Sequence, residues 1–74
     1  MAPLASVRKR RLLSLRELAE QAHISLSTLY AIERGERRPQ MRVVRQLAAA
    51  LNVDPLEVDE FRRVIEPERQ GLAA

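Results

Sequence analysis

Apolar residues recur along this 74-residue chain at helical spacing, and no stretch alternates apolar and polar positions as a half-buried strand does. The clearest stripe follows the i, i+3, i+4, i+7 pattern of an amphipathic helix. It consists of Val44, Leu47, Ala48 and Leu51. Together with the capping signals between the apolar stretches, the pattern predicts an all-α fold of five helices.

The first two helices are marked by their start signals. Pro3 suits the first turn of a helix at about residues 3–12. The second helix opens at Ser14, where Ser14-Leu15-Arg16-Glu17 has the form of a capping box, in which serine and glutamate each satisfy a free amide. Its apolar face comprises Leu15, Leu18, Ala19 and Ala22, and the helix is predicted to end near Ala22 or His23.

The next two helices are bounded by residues that begin or end helices. Ser25 is a good N-cap for the third helix, and Gly35 is a good stop in the left-handed conformation. Leu29 and Ile32 face inward between them. The fourth helix is predicted at about Met41–Leu51, preceded by Pro39 and ended by Asn52.

The fifth helix is predicted to begin with an aspartate cap and a proline at its first position, in Asp54-Pro55-Leu56-Glu57. Its candidate buried residues are Leu56, Phe61, Val64 and Ile65. Pro67 is predicted to stop it. The chain therefore divides into one domain, residues 1–66, and a short flexible C-terminal tail, residues 67–74.

Charge is distributed unevenly along the chain. Residues 1–50 carry 10 Lys and Arg against 4 Asp and Glu, whereas residues 51–74 carry 3 against 6. A basic surface of this kind favours an anionic partner such as nucleic acid. With no cysteine and a single histidine, the composition predicts no metal site and no cofactor. No apolar run is long enough for a bilayer and the start is a poor signal peptide, so we expect a cytoplasmic protein without membrane contact.

The link between the second and third helices is the most specific feature of the sequence. About three residues join two short helices, and a small residue, Ala19, stands where they would cross, which is the pattern of a helix-turn-helix. The turn favours glycine because its backbone tends to left-handed values. His23 occupies this position, and histidine tolerates that region better than most other residues.

From these residues the chain resembles the phage-repressor (Cro and CI, or XRE-like) type of helix-turn-helix domain over roughly residues 4–61. The resemblance is carried by Arg8, Glu17-Leu18-Ala19, Ile24-Ser25, Ser27-Thr28-Leu29, Ile32-Glu33-Arg34-Gly35, Pro39, Leu47-Ala48 and Leu51-Asn52-Val53. It implies a compact five-helix bundle of the lambda-repressor-like DNA-binding type. The third helix would enter the major groove, and the second would offer its N-terminus to a phosphate.

Candidates for reading bases are Leu26, Ser27, Thr28 and Ala31. The resemblance implies the role of Leu26, Ser27 and Ala31, whereas Thr28 could instead support the helix start. Leu26 and Ala31 cannot donate a bidentate hydrogen bond but can contact a thymine methyl; the alternative is a weak reader whose specificity comes from phosphates and DNA shape. Candidates for binding phosphates are Ser14, Arg16, Ser25, Tyr30, Arg34, Arg37, Arg38 and Arg42. For the four last arginines, the alternative is a solvated charged surface.

Glu33 is a carboxylate near the end of the third helix in an otherwise basic region. A surface carboxylate there would be poorly placed near DNA and near a helix C-terminus. The resemblance implies a partner for it, Arg8 in the first helix, in a partly buried ion pair. Such a pair would hold the recognition helix against the rest of the domain.

The leading functional prediction is a stand-alone small transcriptional regulator, a repressor or controller protein, that binds double-stranded DNA as a homodimer. Its dimer-interface candidates are Leu56, Phe61, Val64 and Ile65; the alternative is a monomer in which this helix covers the core. The alternative is a protein–protein interaction module, or an antitoxin-like partner, that kept the fold with weak or no operator binding. The sequence has no catalytic constellation and no evident small-molecule site, so we do not expect an enzyme.

Overall fold

A computed structural model describes residues 2–73 of the chain, and describes side chains for residues 2–66. Five α-helices follow one another, and within the described residues there is no strand, so the predicted all-α class is confirmed. The helices are α1 (Leu4–Arg10), α2 (Leu15–Ala22), α3 (Leu26–Glu33), α4 (Met41–Leu51) and α5 (Asp59–Ala73).

The residues predicted to begin or end α2, α3 and α4 cap these helices in the structure. Ser14 and Ser25 cap α2 and α3 through their side chains, and Asn52 ends α4 in the left-handed conformation with φ 55°. Gly35 follows α3 with φ 78°, a value that glycine adopts without steric cost. These three helices therefore lie where the pattern predicts them.

The start of the fifth helix is predicted wrongly. Pro55–Glu57 forms a separate turn of 3-10 helix, capped by the Asp54 side chain, and Val58 then returns to an extended backbone with φ −108° and ψ 124°. Val58 is fully buried, and its β-branched side chain favours extended backbone. The α-helix proper begins only at Asp59.

The N-terminal segment explains why Val58 is extended. Ala2 pairs with Val58 as an isolated β-bridge, in which the Ala2 amide donates to the Glu57 carbonyl at 3.0 Å and the Asp59 amide donates to the Ala2 carbonyl at 2.9 Å. Pro3 provides no side-chain cap for α1, and the Glu60 carboxylate accepts the Leu4 amide at 2.8 Å instead. The two ends of the domain are thus joined.

Helix α5 also continues past Pro67, where the sequence predicts a stop. Proline has no amide hydrogen, so it leaves the Arg63 carbonyl without its intrahelical donor. The Arg38 guanidinium donates to that carbonyl at 2.7 Å, which satisfies the group that would otherwise weaken the helix. The predicted flexible tail, residues 67–74, lies outside the residues whose side chains are described, and its flexibility stays a prediction.

The core is formed by apolar residues from every helix. Its largest fully buried side chains are those of Phe61, Leu4, Leu18, Leu29, Ile32, Leu47, Leu51, Val44 and Val58. Burial of Leu29 and Ile32 fixes the rotation of α3, so that the other side of this helix faces outward. At the opposite extreme, Leu12 is 89% exposed with φ 59°, and nothing in the structure explains this residue.

Candidate nucleic-acid interface

The turn between α2 and α3 has the geometry that the sequence predicts. His23 ends α2 in the left-handed conformation, with φ 59° and ψ 41°. The Ile24 amide donates to the Ala19 carbonyl at 3.0 Å, which closes the end of α2. Ala19 and Ala22 are buried, and their small side chains allow the two short helices to approach closely. The turn therefore sets the orientation of α3 on the scaffold.

The N-terminus of α2 is built by a complete capping box. The Glu17 amide donates to the Ser14 hydroxyl at 3.0 Å, and the Ser14 amide donates to the Glu17 carboxylate at 2.8 Å. The bond from the Ser14 amide lowers the pKa of Glu17 below its ordinary value, and the Ser14 side chain makes a second, smaller contribution in the same direction. Arg16 is exposed beside this terminus, while Leu15 packs partly against the core.

The outward face of α3 is largely apolar. Leu26 is 38% exposed and Tyr30 is 49% exposed, and Ser27 lies exposed between them. Ala31 is half-buried at the edge of the same face. The structure therefore brings three of the four base-reading candidates, Leu26, Ser27 and Ala31, to one side of the helix.

The fourth base-reading candidate, Thr28, takes part in the N-terminal cap of α3. The Ser25 hydroxyl accepts the Thr28 amide at 3.1 Å and donates to the Thr28 hydroxyl at 2.6 Å. Arg37 approaches the same Thr28 oxygen at 3.5 Å. The Thr28 hydroxyl thus accepts two hydrogen bonds at the start of α3 and supports the cap.

Tyr30 and Arg34 form a pair on the surface of α3. The Arg34 guanidinium lies over the Tyr30 ring at 5.3 Å from the centroid and donates to the phenol oxygen at 2.9 Å. It also contacts the Glu36 carboxylate at 3.3 Å. Tyr30, followed by Glu36, raises the pKa of Arg34, which keeps this charge fixed. Both phosphate candidates are thus exposed and held by each other.

Basic side chains surround a groove between α3 and the start of α4. The groove has a volume of about 400 Å³, and its lining includes Ser25, Thr28, Arg37, Arg38 and Arg42. Arg37 and Arg42 are exposed at this place. The α4 N-cap, Gln40, makes no side-chain cap bond, so the first amides of α4 face the same groove region without a protein cap.

Arg38 also contacts the last helix. One guanidinium nitrogen, Nη2, donates to the Arg63 carbonyl of α5 at 2.7 Å, while the side chain stays exposed and lines the groove. Arg38 therefore joins the loop after α3 to α5, and its role in phosphate binding stays a prediction, as do those of Arg37 and Arg42.

Arg8 and Glu33 are brought together as a bidentate pair. Arg8 Nε donates to one Glu33 oxygen at 2.8 Å, and Nη2 donates to the other at 3.1 Å. The remaining Arg8 nitrogen, Nη1, donates to the Leu13 carbonyl at 2.9 Å. The two side chains are only 13% and 9% exposed. One guanidinium thus connects α1, the α1–α2 turn and the end of α3.

The dimer-interface candidates divide into two groups. Phe61 is completely buried and Val64 is 5% exposed inside the single chain, so both belong to the core of one domain and their assignment to an interface is wrong. Leu56 and Ile65 are half-buried and keep part of their surface exposed. Burial of Phe61 and Val64 agrees with their place among the candidate buried residues of this helix.

Three polar contacts that position the interface are absent from the predictions. Glu60 caps α1, Arg38 binds the Arg63 carbonyl, and Arg11 donates to the Asn52 carbonyl at 3.1 Å. Each joins residues at least 25 positions apart. Only Arg38 carries a sequence signal, because Pro67 stands four residues after Arg63 and leaves its carbonyl without a donor.

Across the described residues, no group of three or more His, Cys, Asp or Glu side chains is arranged to hold a metal ion. Within the same part of the chain, none of the helices combines the length and the apolar composition that a bilayer span requires.

Two short helices joined by a tight left-handed turn, with the second helix exposed beside a basic groove, define a helix-turn-helix domain. A family model described as Helix-turn-helix matches residues 4–58. The chain belongs to this family, in its Cro/CI or XRE type, which consists of DNA-binding transcription regulators and is generally non-enzymatic. No curated protein and no solved structure matches the chain significantly.

Proposed function

We propose that the protein is a small transcriptional regulator, a repressor or controller protein, that binds double-stranded DNA with α3 in the major groove. One observation carries this proposal. The exposed face of α3 lies beside a groove lined by Arg37 and Arg42, with uncapped amides at the start of α4. A helix of this size fits the major groove, and the flanking positive charges suit the phosphates on its edge.

The other phosphate candidates complete a second contact region. Ser14 and Arg16 stand at the start of α2, where the helix dipole and the free amides favour an anion. Arg8 and Glu33 fix α3 on the scaffold, so that both contact regions keep a constant separation. A rigid arrangement of this kind reduces the entropy lost on binding.

Fluorescence anisotropy with random-sequence duplex DNA over a salt series tests the proposal. Binding should weaken steeply with salt, because neutralised phosphates release counterions. Arg42→Ala should reduce the slope of log K against log salt by about 1. Arg10→Ala is the matched control, since Arg10 lies beside Val53 and Glu57 away from the groove, and it should leave the slope unchanged. No binding even at low salt would refute DNA binding.

We also propose that the regulator acts as a homodimer through Leu56 and Ile65. Both side chains are partly exposed and apolar, and a single small domain gives too few contacts for tight specific binding. Sedimentation equilibrium with and without duplex DNA tests this. A dimer that Ile65→Glu converts to a monomer supports it, and a wild-type monomer on DNA contradicts it.

A second function is favoured by the same apolar face of α3. Leu26 and Tyr30 are two of the three large apolar side chains exposed within the described residues. They would suit a protein partner, as in an interaction module or an antitoxin-like protein with little operator binding. The salt series separates the two functions, because a protein-binding module gives no salt-dependent DNA affinity.

A further inference from the structure

The outward face of α3 has no side chain that can make a bidentate hydrogen bond to a base. Helix α3 contains no Gln, Asn, Lys or Arg, the residues that make bidentate bonds to guanine or adenine. The hydroxyls of Ser27, Thr28 and Tyr30 remain, and each can make only single hydrogen bonds. Thr28 accepts from Ser25, Tyr30 accepts from Arg34, and Ser27 lies 3.4 Å from the Ser25 oxygen.

The other side chains on the outward face of α3 are apolar. Leu26 stands at the first position of the helix with 38% of its surface exposed, and Ala31 presents a methyl group at the edge of the same side. In the major groove, the only apolar group on a base edge is the C5-methyl of thymine. From this combination we propose that Leu26 and Ala31 select thymine methyl groups, so that the half-site is specified by thymines.

This inference rests on the proposed function, and its test is designed to separate the two. Bound sequences are first selected from a random duplex pool, and each thymine of the enriched site is then replaced singly by deoxyuridine. Deoxyuridine keeps the base pairing and removes only the methyl group. At one or two positions per half-site the affinity should fall about fourfold, the effect of one buried methyl group.

A protein variant identifies which side chain meets the methyl group. In Leu26→Ala, the deoxyuridine effect at the position that faces Leu26 should disappear, whereas other positions keep theirs. Leu12→Ala is the matched control, because Leu12 is an equally large exposed leucine outside α3 and should keep every effect. Circular dichroism melting verifies that each variant is folded, and the wild-type deoxyuridine scan tests the proposal without any variant.

The outcomes distinguish the two proposals. If duplexes are bound but deoxyuridine has no effect anywhere, or if the enriched site lacks thymine, thymine selection is refuted while DNA binding stands. If Leu26→Ala keeps the full deoxyuridine effect at every position, the assignment to Leu26 is refuted. If no duplex is enriched and none binds at low salt, the proposed function fails, and this inference fails with it.

Discussion

The bond between Arg8 and Glu33 has a larger energetic role than its two residues suggest. A domain of this length has a free energy of unfolding of about 4–11 kcal/mol. Removing one member of a buried, bidentate pair costs about 3–5 kcal/mol, because the other charge stays buried without a partner. The Leu13 carbonyl would lose its donor as well if Arg8 were removed. This pair alone thus affects a large share of the stability.

Arg8→Ala and Glu33→Ala are each predicted to lower the free energy of unfolding by about 3 kcal/mol or more. Urea denaturation followed by circular dichroism measures this. Arg42→Ala serves as the control, because Arg42 is exposed and makes no ion pair among the described residues. If the Arg8 and Glu33 variants unfold at the same urea concentration as the control, the pair does not hold α3 in place.

Glu17 makes the stability of α2 depend on pH. Its folded-state pKa lies below its ordinary value, because the Ser14 amide, and to a lesser extent the Ser14 side chain, stabilise the carboxylate form. The stabilising effect is therefore complete above the unfolded pKa and is lost as pH falls through the lower, folded pKa. Glu17→Gln should be less stable than the wild type at neutral pH, and this difference should shrink in acid.

Urea denaturation of both proteins from about pH 7 down to about pH 3 tests this sign. The difference between the two proteins reports the titration of Glu17 alone, because the wild type and Glu17→Gln have every other carboxylate in common. A stability difference that stays constant across this range would show that the capping box does not depend on ionisation of Glu17.

At the scale of elements, the sequence predicts what local chemistry determines. Helices α2, α3 and α4 are bounded by side chains that act within four residues, such as Ser14, Ser25 and Asn52. The ends of the fifth helix depend on distant groups instead. Ala2 holds Val58 extended, and Arg38 donates from 25 positions away to the Arg63 carbonyl that Pro67 leaves without a donor.

The same distinction applies to the candidate interface. Which side of α3 faces outward follows from the spacing of Leu29 and Ile32, so Leu26, Ser27 and Ala31 are predictable from the sequence. The contact of Arg38 is not, because it depends on which hydrogen-bond partner the fold places beside it. For packing, the apolar spacing already marks Phe61 as a candidate buried residue, whereas the late start of α5 depends on the pairing of Ala2 with Val58.

The contact between Arg38 and α5 is testable by a double-mutant cycle with Pro67. Arg38→Ala should cost about 1 kcal/mol in the wild-type background, because the Arg63 carbonyl loses its donor. In Pro67→Ala, an amide becomes available to that carbonyl and the cost of Arg38→Ala should fall close to zero. The free energy of unfolding of the four proteins, measured in urea, gives the coupling directly. Equal costs in both backgrounds would contradict this role for Arg38.

On the scale of the whole molecule, positive charge and the exposed face of α3 coincide. The first fifty residues carry most of the positive charge, and Arg37 and Arg42 place part of it beside α3. The acidic C-terminal part contributes Glu60 to the cap of α1 and Glu66 to an ion pair with Arg62 within α5. The fold thus places basic side chains beside α3, and the N-terminal segment against the start of α5.

The most direct test of DNA binding through α3 is NMR mapping of backbone amides during titration with duplex DNA. The largest chemical-shift changes are expected at the start of α2, along residues 25–31, and through residues 34–42. Amides of the first turn of α1 and of Val58 should change little. Changes that concentrate on α5, or that spread evenly over the chain without following α3, would contradict the proposed interface.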